Sequence, residues 1–377
     1  MFNRLYIHVP FCIEKCHYCA FISRTPQKNE IDEYPALLLR ELQLSPHDIR
    51  PLASIYFGGG TPSLLKPKQL ATLLEGIDTL ATIQADAEIT LEANPGTVDL
   101  NSLKEFRNAG INRISLGIQS FDDRFLNRLG RIHSAQQSRQ AFQDIREAGF
   151  NNVSIDLIHS LPGQDLDQWR TELQHAIELC PEHISIYGLT VEEGTPFAHI
   201  YPSNSPELVD EDISADMFEL ADELLAAAGF DHYEIANYAR PGFSSQHNSG
   251  YWKRDGYRGL GVAAHSFMRD EYGVRFSNPD SLTHYQHSVL SGLLERIDEH
   301  RLTESDAVAE YLFLGLRLSE GISLTAFEGE FGKSLESVYG SVPSDLISLG
   351  LLQHNGSVLS LTGRGMLLSN QVFSRFL

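Results

Sequence analysis

Six short hydrophobic segments recur along the first half of the chain, and a turn signal or a helical pattern follows each of them. They have the character of strands and lie at 4–11, 53–60, 87–96, 113–121, 153–163 and 183–189. Helical patterns separate them, for example over 30–44, 100–110 and 135–149, and the last two close at Gly110 and Gly149. Strands that alternate with helices predict a parallel sheet with helical crossovers.

Apolar and polar side chains alternate within these segments. At 113–121, for instance, the apolar residues Ile114, Leu116 and Ile118 are separated by small or polar ones. A doubly wound sheet is apolar on both faces and would not alternate in this way. We therefore predict an α/β fold in which the sheet forms a curved, incomplete barrel, with its site at the carboxyl ends of the strands. The small and polar residues near those ends are Gly58 to Thr61, Glu92, Gln119 and Asp156.

The second half of the chain predicts other elements. An amphipathic helix is expected over 205–228, ending at Gly229. Its apolar stripe contains Ile213, Met217, Leu220, Leu224 and Leu225. Residues 242–285 suit loops and short strands, and a hairpin is expected to turn at "HNGS" near the end of the chain. We predict a barrel over 1–240, a loop region and connection over 241–294, and a small helical, winged-helix-like domain over 295–377.

Composition narrows the class of protein. The chain has 377 residues, of which 42% are hydrophobic and 21% charged, as in ordinary soluble globular proteins. No apolar run approaches the roughly 18 residues of a membrane span, and the first residues lack the features of a signal peptide. These observations predict a cytoplasmic protein with no transmembrane segment.

The charge balance bears on partners. Twenty-nine basic and fifty acidic residues give a net charge of −21, which disfavours nucleic acid as a partner. Peripheral membrane contact through a local basic patch stays open. No Lys or Arg lies between Arg170 and Arg240, whereas fifteen acidic residues do. We interpret that segment as a solvated surface, and the alternative is a docking surface for a basic partner.

Three of the four cysteines, Cys12, Cys16 and Cys19, fall within eight positions in "CIEKCHYC". Thiolates favour iron-sulfur clusters, zinc or copper(I), and a reducing cytoplasm argues against disulfides. A structural zinc site normally takes a second Cys or His pair at similar spacing, and none follows. Cys180 lies in an apolar stretch and is predicted to be a small buried residue. Three thiolates on four irons would leave one iron open to an external ligand.

This C-x3-C-x2-C spacing directly after a first strand resembles the radical S-adenosylmethionine superfamily. In that superfamily, the methionine end of S-adenosylmethionine chelates the unique iron, and an electron from the cluster can cleave the sulfonium to give a 5′-deoxyadenosyl radical. The resemblance implies a [4Fe-4S] cluster on Cys12, Cys16 and Cys19, S-adenosylmethionine as cofactor, and an incomplete (β/α)6 barrel.

The segment "FGGGTPS" at 57–63 has two interpretations. It could be a tight turn after a buried strand, or its glycines could let the backbone approach the charged end of the cofactor. We favour the second because of the cysteine loop. No G-x-G-x-x-G is present, so a dinucleotide site is disfavoured.

A longer series of motifs is similar to the oxygen-independent coproporphyrinogen oxidase group over nearly the whole chain. The positions that this resemblance assigns to S-adenosylmethionine are Tyr6, Gly59, Gly60, Thr61, Glu92, Gln119, Arg131 and Asp156. A carboxylate could accept hydrogen bonds from ribose hydroxyls, and Arg131 could pair with the cofactor carboxylate. The alternative for Glu92 and Asp156 is a polar layer of the barrel, neutralised by Arg113 or Arg131.

Two departures from that group indicate its sister subgroup, the HemW heme chaperones. Phe21 stands where the oxidases carry a further cysteine, and the first cysteine comes too early for their N-terminal extension. The subgroup motif H-N-x-x-Y-W is present as His247, Asn248, Tyr251 and Trp252. It implies heme contact by this loop, since imidazole is a common axial ligand and aromatic rings can stack on a porphyrin. His265 is the alternative candidate for the imidazole that ligates heme iron.

These patterns leave three functions to compare. The first is a heme chaperone that holds heme for transfer to an acceptor protein that the sequence does not identify. The alternative is an oxygen-independent coproporphyrinogen III oxidase, and a more distant third is another radical enzyme that acts on a small molecule. The sequence does not decide whether S-adenosylmethionine is cleaved, and so leaves open whether the protein is an enzyme.

Overall fold

The computed structural model describes residues 2–45 and 49–377. Its main sheet has twelve strands, which include all six of the predicted ones. In chain order they are β1 Phe2–Val9, β2 Ile49–Gly59, β3 Ile83–Ala93, β4 Arg113–Gln119, β5 Val153–His159, β6 His183–Gly188, β7 Asp231–Glu234, β8 Asn237–Ala239, β9 Tyr257–Leu260, β10 His265–Met268, β11 Val274–Ser277 and β12 Ile297–Arg301.

The six predicted strands are parallel neighbours in the order β1-β2-β3-β4-β5-β6. At one edge β9 continues the sheet parallel to β1, and at the other β8 pairs antiparallel with β6. In the part of the chain that the structure describes, β1 and β6 therefore pair with flanking strands instead of with each other. The barrel is open, which confirms the predicted α/β architecture.

Helices accompany this sheet. They are α1 Glu30–Leu44, α2 Pro67–Ala81, α3 Leu100–Asn108, α4 Asp123–Leu129, α5 Ala135–Glu147, α6 Leu166–Glu178, α7 Pro196–Ile200, α8 Glu211–Ala227, α9 Gln246–Trp252 and α10 Leu282–Ser291. The main hydrophobic core on the apolar face contains residues of α1, α2, α3, α5, α6, α8 and α10. Helices α4 and α7 pack in a smaller cluster with Ile158, and α9 contacts β2 through His247 and Ser54. The predicted helices over 30–44, 100–110 and 135–149 are α1, α3 and α5. Gly110 and Gly149 follow the last two with φ of +111° and +91°, the left-handed conformation that ends helices. Ile114, Leu116 and Ile155 are fully buried beneath these helices.

Two predictions in this region are wrong. The helix expected from 205 begins at Glu211, because the Asp210 side chain accepts a hydrogen bond from the Asp212 N–H and caps the first turn. Ile213, in that turn, is 42% exposed, whereas Met217 is buried. Cys180 is exposed instead of buried, because it follows the end of α6 in a turn with a φ of +53°.

The acidic segment is not entirely a solvated surface. Glu172 is buried and accepts hydrogen bonds from the Ser120 hydroxyl and the Phe121 N–H, and Glu234 is buried near the Arg317 guanidinium. These two carboxylates therefore belong to the packing of the fold.

A second hydrophobic core lies in the last third of the chain. Its elements are α11 Glu304–Gly315, β13 Ile322–Ser323, α12 Leu324–Phe331, α13 Leu335–Tyr339, α14 Val342–Ser348, β14 Leu352–Asn355, β15 Val358–Leu361, α15 Gly363–Leu367 and α16 Ser369–Phe373. The predicted hairpin is β14–β15 and turns at Gly356, whose φ is +62°. Since β9 to β11 belong to the main sheet, the division at 241 and 295 stays a prediction. None of the described helices is both long and apolar enough to cross a membrane.

Candidate functional site

The three clustered cysteines line one cavity of about 350 Å³ at the carboxyl ends of the barrel strands, which we call the thiol cavity. Cys12, Cys16 and Cys19 are partly buried free thiols. The Thr61 hydroxyl lies 3.6 Å from Cys12 Sγ, and Arg131 Nη1 lies 3.4 Å from Cys16 Sγ. These two contacts hold the sulfurs of Cys12 and Cys16 in the wall of the thiol cavity.

The glycine segment holds the cysteine loop against the sheet. The Gly60 N–H donates to the Val9 carbonyl at 2.8 Å, and the Thr61 N–H donates to the Phe11 carbonyl at 2.7 Å. A Cβ on Gly60 would lie 2.7 Å from the Phe11 carbonyl oxygen and 2.8 Å from that of Val9. Gly60 thus permits the close approach of two backbone segments. Gly59 and Gly60 also line the thiol cavity, where their predicted contact with the cofactor stays a prediction.

Replacing Gly60 with alanine is expected to impair cluster loading, because the added Cβ can be accommodated only if the backbone of the cysteine loop moves. Overpacking of this kind costs about 1–3 kcal/mol in the free energy of unfolding. Iron content after anaerobic reconstitution and a urea unfolding curve would measure both effects.

Gly329→Ala is the matched control, since a Cβ there would meet no atom within 4 Å and Gly329 lies inside helix α12. It should load a full cluster and be no less stable than the parent chain. Equal iron content in both variants would contradict this role of Gly60.

Two carboxylates reach the polar side of the thiol cavity. Glu92 accepts hydrogen bonds from the Tyr56 hydroxyl at 2.8 Å and the Gly59 N–H at 3.2 Å, and burial raises its pKa to about 7. Asp156 accepts from the Ser115 hydroxyl at 3.3 Å, and burial raises its pKa as well. The nearby Arg113 lowers both pKa values but does not outweigh burial. A ligand with an ammonium group or hydroxyls would donate hydrogen bonds to these carboxylates and so offset the cost of burying their charge.

Arg131 connects this polar side to the cysteines. Its Nη2 donates to the Gly117 carbonyl at 2.7 Å and to the Asn94 side-chain oxygen, and its buried Nε has no partner in the described part of the chain. The Gln119 side chain lies against Gly117, since a Cβ on Gly117 would lie 2.9 Å from Gln119 Nε2. The backbone of Gln119 is in the left-handed region, with a φ of +69°. The donor that lacks a partner fits a site that accepts an anionic group.

Sequence reasoning missed several residues of this cavity. They include Tyr18, Asn94 and Tyr187, whereas Ser115 and Gly117 lie on the polar face that the alternation predicts. Asn94 could have been found, because it follows Glu92 by two positions and the side chains of a strand repeat with a period of two. Tyr187 carries the same signal, since Ser185 and Tyr187 alternate with the buried Ile184 and Ile186, whereas Tyr18 carries none.

The donor set suits a multi-iron cluster. Across residues 2–45 and 49–377, no three His, Cys, Asp or Glu side chains converge in the way that the ligands of one metal ion do. The type of donor is what fits, because thiolates are the usual protein ligands of iron-sulfur clusters and three free thiols line this cavity.

Tyr6 is the one predicted cofactor-binding residue that does not line the thiol cavity. It lines a second cavity of about 530 Å³, which we call the aromatic cavity. The other residues around the aromatic cavity are His8, Ala20, Phe21, Ile22, Tyr251, Trp252, Tyr257, Ala263, His265, Phe267, Arg275 and Leu314. Phe21, 67% exposed, lines both cavities. Phe21 therefore lies between the two cavities.

The H-N-x-x-Y-W motif forms helix α9. Its Tyr251 and Trp252 line the aromatic cavity, and Asn248 is half-buried on the same helix. His247 is buried, and its ring nitrogens lie 2.8 Å from the Ser54 hydroxyl and 2.7 Å from the Tyr251 hydroxyl. Burial lowers its pKa to about 3. Both ring nitrogens are therefore engaged in hydrogen bonds, and direct ligation of heme iron by His247 stays a prediction.

Comparison with known proteins agrees with this geometry. Residues 6–176 match the family model described as the radical SAM superfamily, and residues 302–368 match the HemN C-terminal domain. Over 375 residues the chain is 36% identical to the heme chaperone HemW of Lactococcus lactis subsp. lactis, covering 100% of this chain and 97% of that protein. The chain belongs to the HemW family. The HemW of Escherichia coli is 37% identical over 380 residues, covering 99% of this chain and 97% of its own length.

The fold of this HemW family member also has a solved relative. The coproporphyrinogen III oxidase HemN of Escherichia coli superposes with a TM-score of 0.85 and 23% identity, covering 99% of this chain and 89% of that one. At this identity the likeness shows the fold alone. Membership of the HemW family agrees with Phe21 standing in place of a further cysteine.

Proposed function

We propose that the protein is a heme chaperone that binds heme in the aromatic cavity and passes it to an acceptor protein. The observation that carries this proposal is an aromatic cavity directly beside the thiol cavity. Its volume of about 530 Å³ falls among those of ligand sites, which run from about 300 to 1,000 Å³. The names of its HemW relatives support the same function.

The lining of the aromatic cavity suits a flat, apolar macrocycle with acidic substituents. Tyr251 and Tyr257 meet edge to face with ring centroids 4.5 Å apart, and Trp252 and Phe267 add further aromatic surface. The Arg275 guanidinium, which also pairs with Glu310, provides a positive charge for a propionate.

The thiol cavity would carry a [4Fe-4S] cluster on Cys12, Cys16 and Cys19, and S-adenosylmethionine at the remaining iron. The cofactor, when bound, completes the coordination of that iron and offers a sulfonium that can be reduced. Thr61 and Arg131 orient the sulfurs, while Glu92 and Asp156 accept hydrogen bonds from an amine or from ribose hydroxyls. Gln119 lies beside them, and the Arg131 guanidinium provides a positive charge for the carboxylate of the cofactor.

A paired assay tests the function. After anaerobic reconstitution, the protein is titrated with heme while the Soret band is followed. In parallel it is supplied with coproporphyrinogen III, a reductant and S-adenosylmethionine, and the formation of 5′-deoxyadenosine and protoporphyrinogen is measured. We expect saturable heme binding without sustained decarboxylation. Sustained formation of protoporphyrinogen would contradict the proposed chaperone function and would support an oxidase.

A further inference from the structure

His265 is an exposed imidazole on the wall of the aromatic cavity, at the start of strand β10. In the part of the chain that the structure describes, its ring has no hydrogen-bond partner, although it lies near His8. An imidazole whose ring nitrogens have no partner can offer one of them to a metal, and histidine is the commonest metal ligand among protein side chains. The position of His265 makes that nitrogen available to a ligand in the cavity.

The other two imidazoles near this cavity are already engaged. His8 also lines it, but its Nδ1 lies 3.1 Å from the Tyr6 hydroxyl and its Nε2 lies 2.8 Å from the Ile22 carbonyl oxygen. His247 is held between Ser54 and Tyr251. Either ring would have to give up a buried hydrogen bond to reach a metal, which costs about 1–3 kcal/mol. His265 would give up none.

The loop before His265 has two residues in the left-handed conformation and is held by several hydrogen bonds. Gly261 has a φ of +98° and Ala263, which lines the cavity, has a φ of +56°. A non-glycine residue in the left-handed region costs free energy and persists where surrounding contacts hold it, often at functional sites. Here the Ala263 N–H donates to the Pro279 carbonyl at 2.9 Å.

Glu41 supplies the main anchor of this loop. Its fully buried carboxylate accepts from the Gly261 N–H at 2.9 Å and from Asn278 Nδ2 at 2.8 Å. Asn278 in turn donates to the Gly261 carbonyl at 2.8 Å, and its own N–H donates to the Ala264 carbonyl at 3.0 Å. These contacts fix the backbone on both sides of the turn that leads into His265. A fixed donor is what a selective ligand site requires.

We propose that His265 supplies the imidazole that ligates heme iron in the aromatic cavity, and that His247 is a positioning residue. His247 acts through its hydrogen bond to Tyr251, which holds that ring in the wall of the cavity. This assignment rests on the proposed heme-binding function and names its ligand.

The test uses the full-length protein, titrated with hemin and followed through the Soret band, the spin state by electron paramagnetic resonance, and the dissociation constant. In His265→Ala we expect the imidazole signature to disappear. Removing a residue that hydrogen-bonds a metal ligand lowers metal affinity by about 10- to 100-fold. Removing the ligand itself should weaken heme binding at least as much. Added free imidazole should restore the signature.

His247→Gln keeps a side chain that can hydrogen-bond Tyr251, and it should retain the spectrum of the parent protein. His354→Ala, on the exposed hairpin β14–β15, is the control for removal of a histidine and should change nothing. An unaltered imidazole signature in His265→Ala would overturn the assignment while leaving heme binding intact. A parent protein that binds no heme would instead overturn the proposed function.

Discussion

The Cys16→Ser variant is expected to lose the brown absorbance of the [4Fe-4S] cluster and nearly all of its iron. Cys16 is one of three thiols that line the thiol cavity, and Arg131 Nη1 lies 3.4 Å from its sulfur. Three thiolates already leave one iron without a protein ligand, and removing another exposes a second iron, so the cluster becomes unstable. Absorbance spectra and iron and sulfide analysis after anaerobic reconstitution would measure the loss.

Cys180→Ser is the control for this experiment, because Cys180 is the remaining cysteine. Its thiol is exposed and donates a hydrogen bond to the Glu178 carbonyl at 3.7 Å. That variant should assemble a full cluster. If Cys16→Ser also kept full absorbance and iron content, the cluster would have a different ligand set.

Much of the fold and of the thiol cavity could be predicted because the signals are local. The alternation through Ile114, Leu116 and Ile118 identifies the buried face of one strand without reference to any other. Parallel strands carry their carboxyl ends to one edge, so Glu92 and Asp156 could be expected together although they lie far apart in the sequence. The cysteine loop was predictable for the same reason, since it directly follows the first strand.

The aromatic cavity could not be predicted, because it depends on pairing between distant segments. Strand β9 joins the sheet beside β1, where Gly259 stands opposite Tyr6, and no local pattern indicates that neighbour. The surroundings of the His247 side chain also depend on a distant segment. Its motif indicates heme contact, but its partner Ser54 lies 193 positions away, and that hydrogen bond decides which histidine remains available. Burial also depends on the final packing, as the exposed Cys180 and Ile213 show.

Glu41→Gln is expected to lower the free energy of unfolding by about 3–5 kcal/mol. The buried carboxylate faces four donors. They are the Gly261 N–H at 2.9 Å, the Tyr285 hydroxyl at 2.8 Å, Asn278 Nδ2 at 2.8 Å and Arg258 Nη2 at 3.1 Å. Burial raises the pKa of Glu41, and these donors oppose that change, as expected for a carboxylate that holds a buried network. An amide keeps one acceptor oxygen, turns N–H groups toward other donors, and removes the charge opposite Arg258.

Asp32→Asn provides the comparison, because Asp32 also pairs with a cation, Lys66 at 2.7 Å, but both side chains are more than half exposed. Surface pairs contribute about 0–1 kcal/mol, so urea unfolding should separate the two variants clearly. Equal stabilities would mean that the Glu41 network does not hold the fold. Because Glu41 also fixes the turn before His265, Glu41→Gln should weaken heme binding under conditions where the protein remains folded, and Asp32→Asn should leave it unchanged.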